Sequence, residues 1–513
     1  MKYPLGIQSF ESIRNDGYLY IDKTPLVHQL VTSGKYYFLS RPRRFGKSLL
    51  ISTLEAYFRG KRNLFEGLAI SQSEQEWKDY PVLKLALNVA NYKSSQMLVE
   101  VLNDAIDSWC SLHGVTTTGT VPSLRFKNLI VSLYEKTGKK VVVLVDEYDR
   151  PLLQVLEDEE MLDLMRDELK AFYGILKPMD EYVQFGIFTG VTRFSKVSVF
   201  SDLNNLTDIT MDNRYAELCG ITEEEIRRDL DKEVGELAAE NQMTKDECYE
   251  QLRKSYDGYR FSLKSVGIYN PYSLLSTLSS KQFRDYWFET GTPSILVESL
   301  KRSNYRLDDL THEEVTTDTL SGIDSFFTNP MPLFYQSGYL TLKDYNPEFD
   351  LYRMGFPNQE VERAFTRFLI PYYTPLKSNQ GSLFIANFVK DVRNGQPEQF
   401  MQRFELLFAS GDYQIAGDAE LYFQNVVWVI FKMMGFYTEV EHHTTNGRMD
   451  MLVKTSDYLY IFEFKLDKSA NEALYQIEDK QYAKPFEHDG RHIYKIGVNF
   501  STSTRRIEGW KVS

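Results

Sequence analysis

The stretch Ser40-Arg41-Pro42-Arg43-Arg44-Phe45-Gly46-Lys47-Ser48-Leu49-Leu50 narrows most sharply what this chain can fold into. The apolar run Tyr36 to Leu39 leads into it. Leu50, Leu54, Tyr57 and Phe58 follow at helical spacing, so the segment reads strand, loop, helix. Gly-Lys-Ser placed between a strand and a helix is how a phosphate-binding P-loop is built. Glycine lets the backbone close on an anion, and the first N–H groups of the helix point at it. The Lys47 ammonium is a point charge for terminal phosphates, and the Ser48 hydroxyl is a ligand for magnesium. Arg44, Phe45, Gly46, Lys47, Ser48 and Leu49 are therefore the expected nucleotide contacts. Five residues before Gly46, where such a loop usually has another glycine, stands Arg41. The blander reading is a basic turn capping an ordinary helix.

A second motif weighs against that blander reading. Val141-Val142-Val143-Leu144-Val145 runs into Asp146-Glu147-Tyr148-Asp149. Such a run is a buried parallel strand that delivers carboxylates at its C-terminal end, where open α/β sheets place ligands. Asp146 is the expected magnesium carboxylate, and Glu147 the group that orients and polarises an attacking water. Another strand, Val183 to Phe188, ends in Thr189-Gly190-Val191-Thr192-Arg193. A threonine there, Thr189 or Thr192, is placed to sense a terminal phosphate. Arg193 is placed to neutralise developing charge, in cis or on a neighbouring subunit, and the latter requires a homo-oligomer. Tyr20 and Ile21, upstream of the loop, are candidates to flank the base. Arg260 is a weaker candidate for a second phosphate sensor.

Charge and composition bound the rest. The 513 residues are 42% hydrophobic and 26% charged, as in a globular chain of about three domains. The net charge of -13 argues against a broad, nonspecific nucleic-acid binder, yet residues 1–70 hold 11 Lys/Arg against 5 Asp/Glu. Positive charge gathers where phosphates would sit. Cys110, Cys219 and Cys248 have no metal-ligand spacing and read as buried thiols of a reducing compartment. No run reaches the roughly 18 apolar residues of a membrane span. The N-terminus lacks a signal peptide's apolar core, so the expectation is a cytoplasmic protein without a membrane partner.

Downstream, Thr222 and Glu225 form a capping box that opens a helical segment. Ser337 to Leu342 and Tyr352 to Phe356 read as a hairpin around Asn346-Pro347, flanked by helical patterns like a winged-helix connector.

The last hundred residues carry separate chemistry. A helix is expected from Asp418 to Met434, with Glu420 in its first turn. Asn446-Gly447-Arg448-Met449-Asp450 turns into a strand, and Tyr458 to Lys465 is the next strand. Glu463 and Lys465 are two apart and share one face of it, with Phe464 opposite. Asp450, Glu463 and the Phe464 carbonyl offer hard oxygens to Mg²⁺ or Mn²⁺, and Glu420 is a further metal ligand from the helix. Lys465 would hold or help deprotonate the attacking water. Gln476, Lys480 and Tyr482, in and after a helix expected over 471–486, are weak candidates for nucleic-acid contacts. Region 411–513 has 12 Lys/Arg and 15 Asp/Glu, so any grip on nucleic acid there must be local.

Taken together, these motifs resemble a bacterial family that joins an AAA-ATPase-like domain to a C-terminal PD-(D/E)XK nuclease-superfamily domain. The residues carrying the likeness are Tyr20–Thr24, Arg41–Ser48, Asp146–Asp149, Phe188–Arg193, Tyr256–Phe261, Tyr269–Pro271, Gly447–Asp450 and Glu463–Lys465. The resemblance implies an α/β chain with a P-loop core at 1–215, a helical lid at 216–275, a winged-helix-like connector at 276–380 and a restriction-endonuclease-like domain at 381–513. It implies ATP and Mg²⁺ at the first centre and a metal-dependent nuclease at the second, acting on nucleic acid, DNA ahead of RNA. One departure is the spacing of a Gln-x-x-x-Tyr motif found in some related nucleases, because from Gln476 the tyrosine falls at Tyr482. The expected function is ATP-gated cleavage. A second reading is an ATP-dependent signalling or scaffold switch whose nuclease fold binds without cutting.

Overall fold

The apolar runs that end at Ser40, Asp146 and Gly190 become neighbouring strands of one parallel sheet. In the computed structural model, residues 1–194, 199–287, 294–320, 322, 328–377, 380–409, 418–445 and 448–513 are described, with backbone alone at 294, 409, 442–445 and 448–450. The chain divides into two compact units. One comprises Met1–Thr290, Glu314–Phe326 and Met331–Glu360; the other Gly291–Glu313, Phe327–Pro330 and Val361–Ser513.

The first unit is built on β1 (Tyr36–Ser40), β2 (Val82–Ala86), β3 (Val141–Asp146), β4 (Val183–Gly190) and β5 (Thr207–Asp208). They lie in the order β2-β3-β4-β1-β5, every pair parallel. β1 and β3 are buried at every residue, as strands covered on both faces must be, which is why they read as continuous apolar runs rather than alternating ones. β4 is the inserted strand. It pairs Ser40 with Gly190 on one side and Val145 with Phe188 on the other, so the loops after β1, β3 and β4 open at one edge. Gly190 is required there, since a Cβ would meet the Tyr148 ring at 2.7 Å and Asp149 Oδ1 at 2.9 Å.

A helical subdomain follows β6 (Ile221–Thr222), which pairs with β7 (Ile268–Tyr269). Helices Glu223–Asp229, Asp231–Glu240, Lys245–Tyr256 and Pro271–Ser280 share a core that includes Ile226, Leu230, Leu237, Leu252 and Leu274. The capping box is present in both halves, and Glu225 also accepts from Lys23 at 2.6 Å. The hairpin is present as β9 (Thr341–Asn346) and β10 (Leu351–Gly355), with β8 (Glu314–Thr316) added to give the order β8-β10-β9.

The second unit holds β11 (Glu439–Thr445), β12 (Arg448–Lys454), β13 (Tyr458–Leu466), β14 (His492–Ser501) and β15 (Arg506–Val512), in that spatial order. Only β13 and β14 pair in parallel, because helix Ala470–Asp479 makes the crossover between them. Helix Ala419–Met434 packs Phe423 and Phe431 on Phe464, and Phe431 also on Phe462. The crossover helix covers the other face, where Ile477 joins Leu452, Leu459 and Ile461. Among the described residues no helix is long and apolar enough to cross a membrane, and the three cysteines are buried free thiols.

One buried carboxylate ties the first unit's helices to the loop after β1. Glu360 Oε1 accepts from Ser273 Oγ at 3.0 Å and from the Trp287 backbone N–H at 2.8 Å, and the Trp287 indole donates to the Arg43 carbonyl at 3.2 Å. Burial pushes the Glu360 carboxyl from 4.5 up to about 8, against the pull of the two hydrogen bonds. Over that interval the unfolded chain releases the Glu360 proton and the folded chain keeps it, so this group's contribution to stability falls as pH rises. Glu360→Gln keeps an acceptor for both donors and removes the titration. Its Tm minus that of the wild type should climb by several degrees as the buffer is taken from 4.5 to about 8. A difference that stays flat in differential scanning fluorimetry would refute this origin of the pH dependence.

Candidate functional site

Between β1 and helix Lys47–Phe58 the backbone must reverse tightly. It does so with Gly46 at φ 93° and Arg44 at φ 69°, both in the left-handed region. The side chain of Phe45, 1% exposed, anchors the loop from below by packing edge-on against Tyr259 and Phe261 at centroid distances of 4.7 and 5.2 Å. Tyr259 in turn donates to the Gly338 carbonyl at 3.0 Å. The Tyr256–Phe261 motif is thus a floor for the loop. Arg260 is exposed, and its backbone N–H is bound to Thr341; its side chain is not on the wall of the cleft described next.

The loop borders a cleft of about 440 Å³ whose wall includes Arg43, Arg44, Gly46, Lys47, Ser48, Leu49, Glu147, Asp149, Arg150 and Val191. Lys47 is 7% exposed and donates to the Arg41 and Pro42 carbonyls at 2.8 and 3.0 Å. Burial holds its ammonium below the usual lysine range, opposed by the charges of Asp146, Asp149 and Glu147. Glu147 stands at φ 55°, and burial together with the neighbouring Asp146 charge lifts its carboxyl above the ordinary glutamate value. A half-buried carboxylate with a raised pKa is a better proton acceptor than an exposed glutamate. Asp146 is 5% exposed, and its Oδ1 accepts from Thr189 Oγ1 at 2.7 Å.

A smaller apolar compartment of about 100 Å³ shares Pro4, Gly46, Leu49, Pro271 and Leu275 with the cleft, and its lining includes Tyr20, Ile21, Val27 and Phe45. Both residues singled out for the base therefore lie on one apolar wall beside the loop.

Two expected contacts fall elsewhere. Thr192 and Arg193 are not on the wall of the cleft. Asp149 Oδ2 accepts from the Val191 N–H at 2.9 Å, the Thr192 N–H at 2.6 Å and Thr192 Oγ1 at 2.6 Å, which fixes the threonine as a structural clamp between β3 and β4. Arg193 pairs with Asp208 at 3.1 Å, and its N–H donates to Gln336 at 2.6 Å. Arg41, in the place of the missing glycine, is 1% exposed. Its guanidinium donates to the carbonyls of Ser40, Thr210 and Tyr215 and lies 4.1 Å from the Phe261 ring centre. It rivets the loop from inside and offers nothing to a ligand. Asp149 and Arg150 had no role from sequence alone. The signal was the third acid of the run, separated by one residue from the Asp146-Glu147 pair, and the basic residue that follows it.

In the second unit, Glu463 is fully buried and Lys465 is 6% exposed on the same face of β13. Lys465 Nζ donates to Glu463 Oε1 and to Gln476 Oε1, each at 2.5 Å. The crossover helix ends at Asp479, earlier than expected, and the turn that follows brings the Tyr482 hydroxyl to 3.4 Å from Gln476 Nε2. The spacing mismatch of glutamine and tyrosine is thereby closed in space. Asp450 pairs in register with Glu463, and its side chain, like Asn446 and Gly447, lies outside the described residues. Glu420 accepts from Gln424 at 3.1 Å, in the first turn of the helix whose Phe423 and Phe431 pack on Phe464. Lys480 is exposed at the end of the crossover helix.

Ser48 and Asp146 at the first centre, and Glu463 with the paired position Asp450 at the second, are hard oxygen donors of the kind that magnesium and manganese prefer. Among the described residues no three His, Cys, Asp or Glu side chains form a metal-holding group.

A parallel sheet whose Gly46-Lys47-Ser48 loop lies beside the carboxylate-bearing end of β3 defines the first unit as an AAA-like P-loop fold. The mixed sheet with Glu-x-Lys on its third strand defines the second as a restriction-endonuclease-like fold. Residues 4–200 match the family described as Predicted AAA-ATPase, and residues 418–510 match the PD-(D/E)XK nuclease superfamily. A protein of Azotobacter chroococcum mcd 1, described as "Uncharacterized protein in vnfD 5'region", is 34% identical over 525 residues, spanning 100% of this chain and 98% of its own length. The chain belongs to this family, in which a predicted AAA-ATPase domain precedes a PD-(D/E)XK nuclease-superfamily domain. The Aeropyrum pernix ORC2 protein, solved as ADPNP-ADP complexes, aligns with 67% of this chain and 90% of its own at 12% identity and a TM-score of 0.22, too low to carry an argument.

The clamp makes a stability prediction. Asp149→Ala leaves three buried donors unsatisfied. The expected loss is at least about 3 kcal/mol in the first unit's urea unfolding transition. A loss below about 1 kcal/mol would mean that Asp149 does not hold β3 to β4.

Proposed function

We propose that the first unit binds and hydrolyses ATP and that its nucleotide state controls metal-dependent cleavage of nucleic acid by the second. The observation that carries this reading is the convergence of Gly46, Lys47, Ser48 and Glu147 on one cleft. With ATP as substrate, the N–H groups opening helix Lys47–Phe58 and the Lys47 ammonium take the phosphates, while the apolar wall at Tyr20 and Ile21 takes the base. Ser48 and Asp146 would hold magnesium, which when bound supplies charge neutralisation across the terminal phosphates. Glu147 orients the attacking water and accepts its proton, a role its raised pKa supports.

In the second unit, Asp450, Glu463 and the Phe464 carbonyl would hold Mg²⁺ or Mn²⁺. Lys465, fixed between Glu463 and Gln476, positions the nucleophilic water. Gln476 and Tyr482 border that site, and with Lys480 they contact the phosphate backbone of the substrate, with DNA favoured over RNA. The protein works in the cytoplasm. The test uses the full chain with a panel of DNA and RNA substrates and Mg²⁺ or Mn²⁺. Lys465→Ala should lose cleavage by about 10²-fold or more while ATP turnover stays within about twofold of wild type. Lys47→Ala should lose nucleotide binding. If Lys465→Ala cuts as well as wild type, the nuclease assignment fails.

A further inference from the structure

We propose that Arg150 is the cation that this chain sets against the terminal phosphate of its nucleotide, a catalytic residue supplied in cis. The proposal rests on the ATP reading above and deepens it. A loose phosphoryl-transfer transition state spreads negative charge over the leaving oxygen and the three terminal oxygens, so a second fixed cation beyond the loop lysine is what the chemistry demands. The sequence offered Arg193 for this, but Arg193 is held by Asp208 at 3.1 Å and is not on the cleft wall. Arg41 is buried among carbonyls of its own unit. Arg44 lies 4.9 Å from the ring centre of Tyr272, on the helix Pro271–Ser280.

Arg43 and Arg44 also stand on the cleft wall but are exposed, whereas Arg150 is partly buried. It is on the cleft wall with Lys47, Ser48 and Glu147, and its guanidinium has no hydrogen-bond or ion-pair partner among the described residues, with Nε shielded from solvent. Its charge acts through space on the Glu147 carboxyl, lowering it, but a partly buried guanidinium with no hydrogen-bonded anion is still costly, and a bound polyanion removes the cost. Its backbone is held firmly. The Arg150 N–H donates to the Glu147 carbonyl at 3.0 Å, Asp149 before it is clamped to β4, and Pro151 and Leu152 after it are buried. The general base and the cation therefore sit three residues apart on one rigid turn. In the step itself, the water oxygen bonds to the terminal phosphorus as the bond from phosphorus to the bridging oxygen breaks. The water's proton passes to Glu147, ADP leaves with the bond electrons on its β-phosphate, and Arg150 neutralises that charge as it develops.

The experiment compares wild type, Arg150→Ala, Arg150→Lys and Lys47→Ala in the full chain, measuring ADP affinity by calorimetry and ATP hydrolysis by phosphate release. Arg150→Ala should lower kcat by about 10²-fold or more, with KM for ATP and Kd for ADP changed by less than about fivefold. Added guanidinium ion at millimolar concentration should restore part of the lost rate, and Arg150→Lys should restore less than wild-type activity because an ammonium does not reproduce the planar fork. Retained ADP binding shows that the variant is folded; if Arg150→Ala does not fold, Arg150→Lys and Arg150→Gln carry the same comparison. A wild type that hydrolyses ATP beside an Arg150→Ala whose kcat is within threefold of it overturns this assignment alone. Equal loss of ADP affinity and rate overturns it in favour of a structural role. A wild type that binds no nucleotide sinks the ATP reading and this proposal with it.

Discussion

A lysine ammonium held almost out of water governs the first unit. Lys47 is fixed by two carbonyls of its own loop and faces the charges of Asp146, Glu147 and Asp149. An ammonium in that position is stabilised only where hard acceptors and opposite charge surround it, so β3 must end in acids and must lie close to β1. The inserted strand β4 meets both demands. It separates the two motif-bearing strands by one strand's width and presents Thr189 to Asp146 and Val191 and Thr192 to Asp149. The aromatic floor of Phe45, Tyr259 and Phe261 then keeps the loop's backbone from collapsing onto the sheet.

The second unit solves a similar problem differently. Glu463 has no exposure at all, and its charge is met by Lys465 two residues along the same strand. That pair is itself held by Gln476 from the crossover helix, so the constellation depends on a parallel β13–β14 pairing and the long crossover it requires. Glutamate and lysine locked together beneath a helix, rather than splayed on an edge hairpin, are what a positioned water and a hard cation require. The likeness to the PD-(D/E)XK superfamily over residues 418–510 agrees with this arrangement.

Much of this was legible in sequence because period and punctuation act locally. The strand–loop–helix around Gly46, the acids after Val145, the capping box at Thr222 and the pairing of Glu463 with Lys465 all depend on neighbours a few residues apart. What was not legible depended on long-range placement. Arg41 read as a missing glycine, yet its guanidinium reaches carbonyls about 170 residues away in sequence, at Thr210 and Tyr215. Thr192 and Arg193 read as ligand contacts, but a buried aspartate and a strand-end aspartate hold them. Strand order, too, cannot be read from chain order when the fourth strand enters between the first and third.

In the function proposed above, nucleotide in the first unit controls cleavage by the second. The most direct measurement is the rate of nucleic-acid cleavage by the wild-type chain as ATP is titrated at fixed Mn²⁺, beside the ATP dissociation constant obtained by calorimetry under the same conditions. The account predicts a cleavage rate that changes with ATP and reaches its midpoint at a concentration within about threefold of that constant, as linkage between the two sites requires. Cleavage that proceeds at one rate from zero to saturating ATP, in a protein shown to bind the nucleotide, would contradict it.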